Sequence, residues 1–211
     1  MTPRPRQARE RLLAAAVDYV AEHGVADLSL RSLAAAIHTS HRMLIYHFGS
    51  KEGLLVEVVR AVEERQREAL AELEATAGDT LADLSRAFYR RLADPALWPN
   101  ERLFYEMYGQ ALLGRPGTVG LLESVIEPWL EQGEQMLQRY GFDADAARAH
   151  ARLALAVGRG LLLDLLTTHD RAGVEEAMEY FIALWDDRDG LAAARPERKP
   201  ATSRRGSRGH R

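Results

Sequence analysis

One stretch constrains the chain more than any other: residues 29–55, SLRSLAAAIHTSHRMLIYHFGSKEGLL. Ser29 can cap a helix, because its hydroxyl can accept from an orphan N–H of the first turn. Leu30, Leu33, Ala34 and Ile37 then recur at i, i+3, i+4 and i+7, which places them on one helical face. His38, Thr39 and Ser40 break that face, and Ser40 or Thr39 can cap a second helix. On it, Leu44 and Phe48 lie one turn apart and would pack back on the first. Gly49 and Ser50 end the second helix, and Ser50 can cap a third that opens at Lys51. Two short helices joined by a tight turn are the pattern of a helix-turn-helix, whose second helix enters the DNA major groove.

The run Leu44-Ile45-Tyr46-His47-Phe48-Gly49-Ser50-Lys51-Glu52-Gly53-Leu54-Leu55 adds residue identity to that pattern. It resembles the TetR family signature, a Tyr-Tyr-His-Phe-like group followed by Lys and a pair of apolar residues. The resemblance implies an all-α fold. An N-terminal three-helix DNA-binding domain would precede a helical ligand-binding and dimerisation domain, about nine helices in all.

Charge is distributed to suit a chain that meets nucleic acid with one end. Residues 1–53 carry 7 Lys/Arg and 5 Asp/Glu, residues 54–187 carry 13 and 24, and residues 188–211 carry 8 and 2. The small N-terminal excess does not by itself imply DNA. There is no cysteine, which excludes disulfides and thiolate metal sites. The N-terminus has no apolar signal core, and the most apolar run, 153–166, contains Arg159 and Asp164 and is too short to span a bilayer. A cytoplasmic protein with no membrane contact is expected.

In chain order, Pro3 and Pro5 precede a first helix, about Arg6 to His23, with Leu13, Ala16, Val17 and Val20 on one face and Gly24 as its stop. Its core with the next two helices should be Leu13, Val17, Val20, Leu30, Leu33, Ile37, Leu44 and Phe48. Arg4, Arg6 and Arg9 are placed either near DNA or in solvent. A fourth helix runs from Lys51 to about Ala77, with Gly78 as its stop. It is apolar early and turns polar from Glu63. Further helices are expected over about 80–92, 101–113, 119–140, 143–168 and 174–187. Trp98-Pro99 would lie in a loop, and Pro128 would kink the 119–140 helix.

The last two helices differ from the rest. Residues 153–166 are apolar nearly all round, and the final helix has two apolar stripes, Met178/Phe181/Ile182/Trp185 and Ala177/Tyr180/Leu184. A helix apolar all round must be covered on all sides. Packing the same two helices of a second subunit against them would do so, as the resemblance also implies, and Leu162 and Phe181 are natural positions at that interface. Residues 188–211, rich in Pro, Gly, Ser and Arg, read as a disordered basic tail. The organisation is therefore 1–50 DNA-binding, 51–187 effector-binding and dimerising, and 188–211 tail.

Carried over residue by residue, the resemblance implies that Tyr46, His47 and Lys51 contact phosphates. Thr39 and Ser40 can donate to phosphate at the start of the recognition helix, where an anion is favoured. His41, Arg42 and Met43 stand where family members read bases. Arg42 is suited to a bidentate contact with guanine and Met43 to a thymine methyl. Arg31 would reach backbone or base. The chain departs from the family at His38, where Gly is common, at Ile45, where an aromatic is common, and at Arg42, where a small residue is common.

The implied effector pocket lies among the fourth to eighth helices, with Trp98, Phe104, Tyr105, Tyr108, Trp129 and Met136 as candidates for its lining. His38, His41 and His47 lack a nearby carboxylate at helix spacing, and Gly158-Arg159-Gly160 precedes no strand-to-helix turn, so neither metal nor nucleotide cofactor is expected. No catalytic constellation stands out. The reading is a homodimeric transcriptional regulator of a double-stranded DNA operator, a repressor released by an unknown small-molecule effector. An activator or ligand-independent regulator remains open, as does a helical binding module or enzyme that keeps the helix-turn-helix as scaffold.

Overall fold

The computed structural model describes residues 5–25, 28–77 and 80–186. Among them the chain is all-helical. The helices are α1 (Pro5–His23), α2 (Leu30–Ala36), α3 (His41–Phe48), α4 (Lys51–Glu74), α5 (Leu81–Leu92), α6 (Trp98–Leu112), α7 (Glu127–Arg139), α8 (Ala144–Thr168) and α9 (Arg171–Asp186). Short 3-10 turns, Pro95–Leu97 and Val119–Leu121, precede α6 and α7. None of these helices is long and apolar enough to cross a membrane. The tail 188–211, Arg4, Gly78 and the side chain of Trp185 lie outside the described residues.

Side-chain caps start most of these helices where the sequence places them. Ser29 Oγ accepts from the Ser32 N–H at 3.0 Å, and Ser32 Oγ accepts in return from the Ser29 N–H at 3.2 Å. Ser40, rather than Thr39, caps α3 by accepting from the Met43 N–H, and Ser50 caps α4 by accepting from the Gly53 N–H. The α2–α3 turn is altered at His38, which takes a left-handed φ of 55° without being glycine. Gly53 is needed for a steric reason, because a Cβ there would collide with the Phe48 carbonyl oxygen. That close approach sets α4 directly on the end of α3.

Three proline and boundary expectations change. Trp98-Pro99 is not a loop, because α6 begins at Trp98 with Pro99 in its first turn. Pro128 does not kink a long helix. The chain turns through 119–126, and α7 starts at Glu127 with Pro128 in its first turn. Both follow from one fact: proline lacks the N–H that a first helical turn leaves unbonded anyway. Leu162 and Phe181 do not face outward. Leu162 is buried and Phe181 half-buried, both against the chain's own interior, while Leu153, Leu163, Tyr180 and Leu184 are the exposed apolar residues of α8 and α9.

The core is continuous from the N-terminal helices into the body along the first half of α4, residues 54–62. A single cluster joins Val17, Val20, Leu33 and Leu44 of α1–α3 to Leu54 and Val58 of α4, to Leu103 and Met107 of α6, and to Leu121 and Val125 in the turn before α7. Leu13 and Ile37 pack on its edge. Two further clusters hold α5 to α8 and α9 and α7 to α8. The α7–α8 contact needs Gly133, whose added Cβ would stand 3.0 Å from that of Ala151.

Leu33 is fully buried where α1, α2 and α3 meet. Truncating it should leave a cavity that these short helices fill poorly. Leu33→Ala is expected to destabilise the fold by roughly 2–5 kcal/mol, read as a lower thermal midpoint by circular dichroism.

Candidate nucleic-acid interface and internal cavity

Helix α3 is held by its inward pair, Leu44 and Phe48, both buried. Its other residues are therefore turned outward. His41, Arg42, Met43, Ile45 and Tyr46 are exposed, Tyr46 at 72%. Arg31 is exposed on α2, Ser40 is exposed, and Thr39, His47 and Lys51 are half-buried. The Ser40 hydroxyl is already the α3 cap. The His47 ring meets Tyr46 edge-on at 4.9 Å, and its buried Nε2 has no hydrogen-bond partner.

The cations near this surface fall into two groups. Among the described residues, Arg31, Arg42 and Lys51 enter no ion pair. Arg9, by contrast, is committed: its guanidinium bonds Glu57 of α4 and lies 5.2 Å over the Phe48 ring. Arg6 pairs with Glu10 at 3.0 Å. Arg9 thus serves the α1–α4 contact. Against the opposing effect of burial, the Arg9 and Arg60 guanidiniums together hold the Glu57 carboxyl below the usual range.

A cavity of about 150 Å³ lies between α4, α5, α6, α7, α8 and α9. Phe104, Tyr105, Trp129 and Met136 line it, four of the six residues singled out from the sequence. Tyr108 stacks on Phe104 at 5.5 Å and lines a more open neighbouring groove with Leu163. Trp98 is outside both; its ring meets His169 at 5.4 Å. Trp98 is drawn there because it begins α6, one turn before the residues that reach the cavity.

The polar side of the cavity was not foreseen. Glu63 and Gln66 of α4, Glu101 of α6 and Arg159 of α8 also line it. Glu63 Oε2 accepts from Trp129 Nε1 at 2.6 Å and from Arg159 Nη2 at 2.9 Å. Arg159 Nη2 also donates to the Val125 carbonyl at 2.7 Å, and its guanidinium lies 4.7 Å over Phe104. The Tyr105 hydroxyl donates to the Arg159 carbonyl at 2.6 Å, and burial pushes its pKa up. Gln66 Nε2 donates to Glu101 Oε1. One signal in the sequence could have found this set: an arginine inside an apolar run requires a buried counter-charge.

Burial raises the pKa of both acids. For Glu63 the Arg159 charge and the Trp129 and Arg159 hydrogen bonds oppose it. With two donors on one oxygen and Arg159 beside it, Glu63 is the better stabilised carboxylate of the two. Glu101 is 4% exposed, has Gln66 as its hydrogen-bond partner, and is pushed up to about 7 by burial and by the Glu63 charge. Such a shift acts against folding as pH rises. Below the usual carboxyl range both folded and unfolded chains hold the proton. Between 4.5 and about 7 only the folded chain keeps it, so stability falls, and the loss is complete above about 7. Glu101→Gln is therefore expected to gain stability over the wild type at pH 8, on the order of 3 kcal/mol, and little at pH 4, in paired thermal melts.

Among the described residues, no group of three or more His, Asp or Glu is placed to hold a metal ion. Comparison with known proteins agrees with the geometry of the α2–α3 pair. Residues 12–58 match the family described as bacterial regulatory proteins, tetR family. Over 79 residues the chain is 34% identical to the HTH-type transcriptional regulator BetI of Stenotrophomonas maltophilia (strain R551-3); the match spans 37% of this chain and 40% of that relative. Two solved structures resemble it over nearly their whole length. One is a multidrug binding protein, EbrR, complexed with proflavin (29% identity, 83% of this chain and 98% of that one, TM-score 0.58). The other is a TetR family member from Streptomyces coelicolor A3 (30% identity, 86% and 98%, TM-score 0.58). With its helix-turn-helix, its all-helical body and these likenesses, the chain belongs to the TetR family of transcriptional regulators.

Proposed function

We propose that the chain is a homodimeric repressor whose α2–α3 surface reads a DNA operator, and that a small molecule in the cavity releases it. Residues 1–50 form the DNA-binding unit in this reading, and residues 51–187 the effector-binding and dimerising unit. Arg42 and Met43 read base edges with His41. Arg31, Thr39, Ser40, Tyr46, His47 and Lys51 position the phosphates. The protein works in the cytoplasm, where its DNA is.

One observation carries the effector half of this reading: side chains connect the cavity wall to α1. Arg159 holds both Glu63 in the cavity and the Val125 carbonyl in the 119–126 turn. Arg60 of α4 grips the same turn through Ser124 Oγ at 2.9 Å and the Gly120 carbonyl at 2.6 Å. Arg60 also bonds Glu57, which holds Arg9 of α1. A ligand that alters the Glu63–Arg159 contact thereby shifts the balance between two arrangements of turn and α1. DNA affinity changes only by the ligand's differential affinity for the two. The proflavin complex of EbrR supports a ligand site in a body of this shape.

The exposed apolar residues of α8 and α9 support the dimer. Leu163 and Tyr180 are 47% and 70% exposed, on helices whose opposite faces are already buried. Packing α8 and α9 against their copies covers them in a four-helix bundle. Substituting Asp at Leu163 and Tyr180 together is expected to halve the sedimenting mass without unfolding the chain. A wild-type protein that sediments as a monomer at micromolar concentration refutes the dimer.

A mobility-shift titration on the DNA flanking its own gene tests the regulator. Arg42→Ala should relax preference at one symmetric pair of operator positions, by roughly 1–3 kcal/mol of discrimination. Lys51→Ala should weaken specific and random DNA alike, and lower the salt slope by about one phosphate's worth. An unaltered sequence preference in the Arg42 variant removes it from the base readers. A transcription assay separates repressor from activator by sign.

A further inference from the structure

The cavity is lined by more acids than bases. Its lining includes two carboxyls, Glu63 and Glu101, and one guanidinium, Arg159. Arg159 is already committed to Glu63, to the Val125 carbonyl and to the face of Phe104. Glu63 and Arg159 form a neutral unit. Among the described residues no cation pairs with Glu101. A buried carboxylate with no cation is costly, which is why its proton is retained so far up the pH scale.

Tyr89 is a further residue of the wall. It is 3% exposed, and its hydroxyl has no hydrogen-bond partner. The remaining walls are aromatic and aliphatic, including Phe88, Phe104, Trp129 and Leu162. Aromatic faces attract a cation as well as an apolar ring. A volume of about 150 Å³ suits a single substituted ring rather than an extended polycycle.

We infer that the cavity binds an arylalkylammonium cation, its ring among the aromatic walls and its positive charge against the Glu101 carboxylate. The inference rests on the reading of this cavity as the effector site, and it adds the charge and size of what enters. An anion would face two carboxyls with the one guanidinium already engaged. A neutral ring would leave Glu101 as it is. Only a cation gives Glu101 a counter-charge at ion-pair distance.

A cation makes binding depend on pH in a definite sense. The groups that face Glu101 are Glu63 and Gln66 from α4, Arg159 from α8, and Tyr105 on its own helix; Tyr89 of α5 lines the same space. The Glu63 pKa is also raised by burial, against the pull of Arg159 and Trp129, so the slope is assigned by the Glu101→Gln variant, which keeps Glu63. Seating the cation expels the Glu101 proton below pH 7. Affinity should fall about tenfold per pH unit there and be flat above it.

The full chain is titrated, without DNA, with benzyltrimethylammonium, with its neutral isostere neopentylbenzene, and with phenylacetate, from pH 5.5 to 8.5. The first keeps its charge at every pH. At pH 8 the cation should bind at least tenfold tighter than the isostere, and phenylacetate weakest. The cation's advantage should shrink with falling pH while the isostere shows no slope. Glu101→Gln, its fold checked by thermal melt, should lose both the preference and the slope. Equal binding of cation and isostere, tighter binding of phenylacetate, or a pH slope that persists in Glu101→Gln overturns the inference. Operator release is measured separately by mobility shift. Cation binding without release counts against the effector role and leaves the charge assignment standing. Release by the neutral isostere with no cation preference does the reverse.

Discussion

The pair between Glu63 and Arg159 is the contact on which the interior depends. It joins α4 to α8 across 96 residues of sequence, in a region otherwise filled by aromatic and aliphatic side chains. Two charges buried together gain little net stability, but removing either one leaves the other stranded, at a cost of roughly 3–5 kcal/mol. The surroundings are built for the pair: Trp129 adds a donor to the same carboxylate oxygen, Phe104 offers its ring face to the guanidinium, and Val125 offers a carbonyl. Every one of these partners comes from a different stretch of chain, so the pair fixes α4, α6, α7 and α8 around one point.

Helix α4 carries that arrangement toward the N-terminal helices. Its first turns complete the core of α1–α3, and its later turns present Glu63 and Gln66 to the cavity. One buried cluster joins α1–α3, the first half of α4 and α6. A rigid helix with different neighbours at each end converts a displacement at one end into a rotation at the other. Arg60 adds directional polar contacts to its packing with the 119–126 turn, and the ion pairs Arg9–Glu57 and Arg65–Asp18 add to its apolar packing with α1.

The helix-turn-helix was legible because it is local. Caps, turn and inward pair all lie within residues 29–55, and each reports itself through spacing. The order and type of the body helices were legible for the same reason. Their boundaries at Trp98 and Glu127 were misread because proline marks both a break and a beginning, and the sequence pattern alone does not say which. The orientation of Leu162 and Phe181 was also hidden, since a helix apolar on two sides does not announce which side its own chain covers. The acids of the cavity were the hardest case. Glu63 opens a run of charged residues that looks solvated, and Glu101 stands beside Asn100 and Arg102 as if on a surface. Only the fold of α4 onto α6 makes both of them interior.

The 119–126 turn is held at Gly120 and Val125 by their carbonyl oxygens. Main-chain acceptors survive almost any change of side chain, proline included. Substitutions at exposed turn positions such as Val119 will therefore tend to be silent, while those at the three residues that reach the turn or back it, Arg60, Glu57 and Arg159, have no such protection, and neither have Leu121, Ser124 and Val125, whose own side chains are buried or bonded. If the chain is the repressor proposed above, a genetic screen for variants locked on DNA should return those charged positions repeatedly and the exposed turn positions seldom. The fold places its vulnerability in a few long side chains and its robustness in the backbone they grasp.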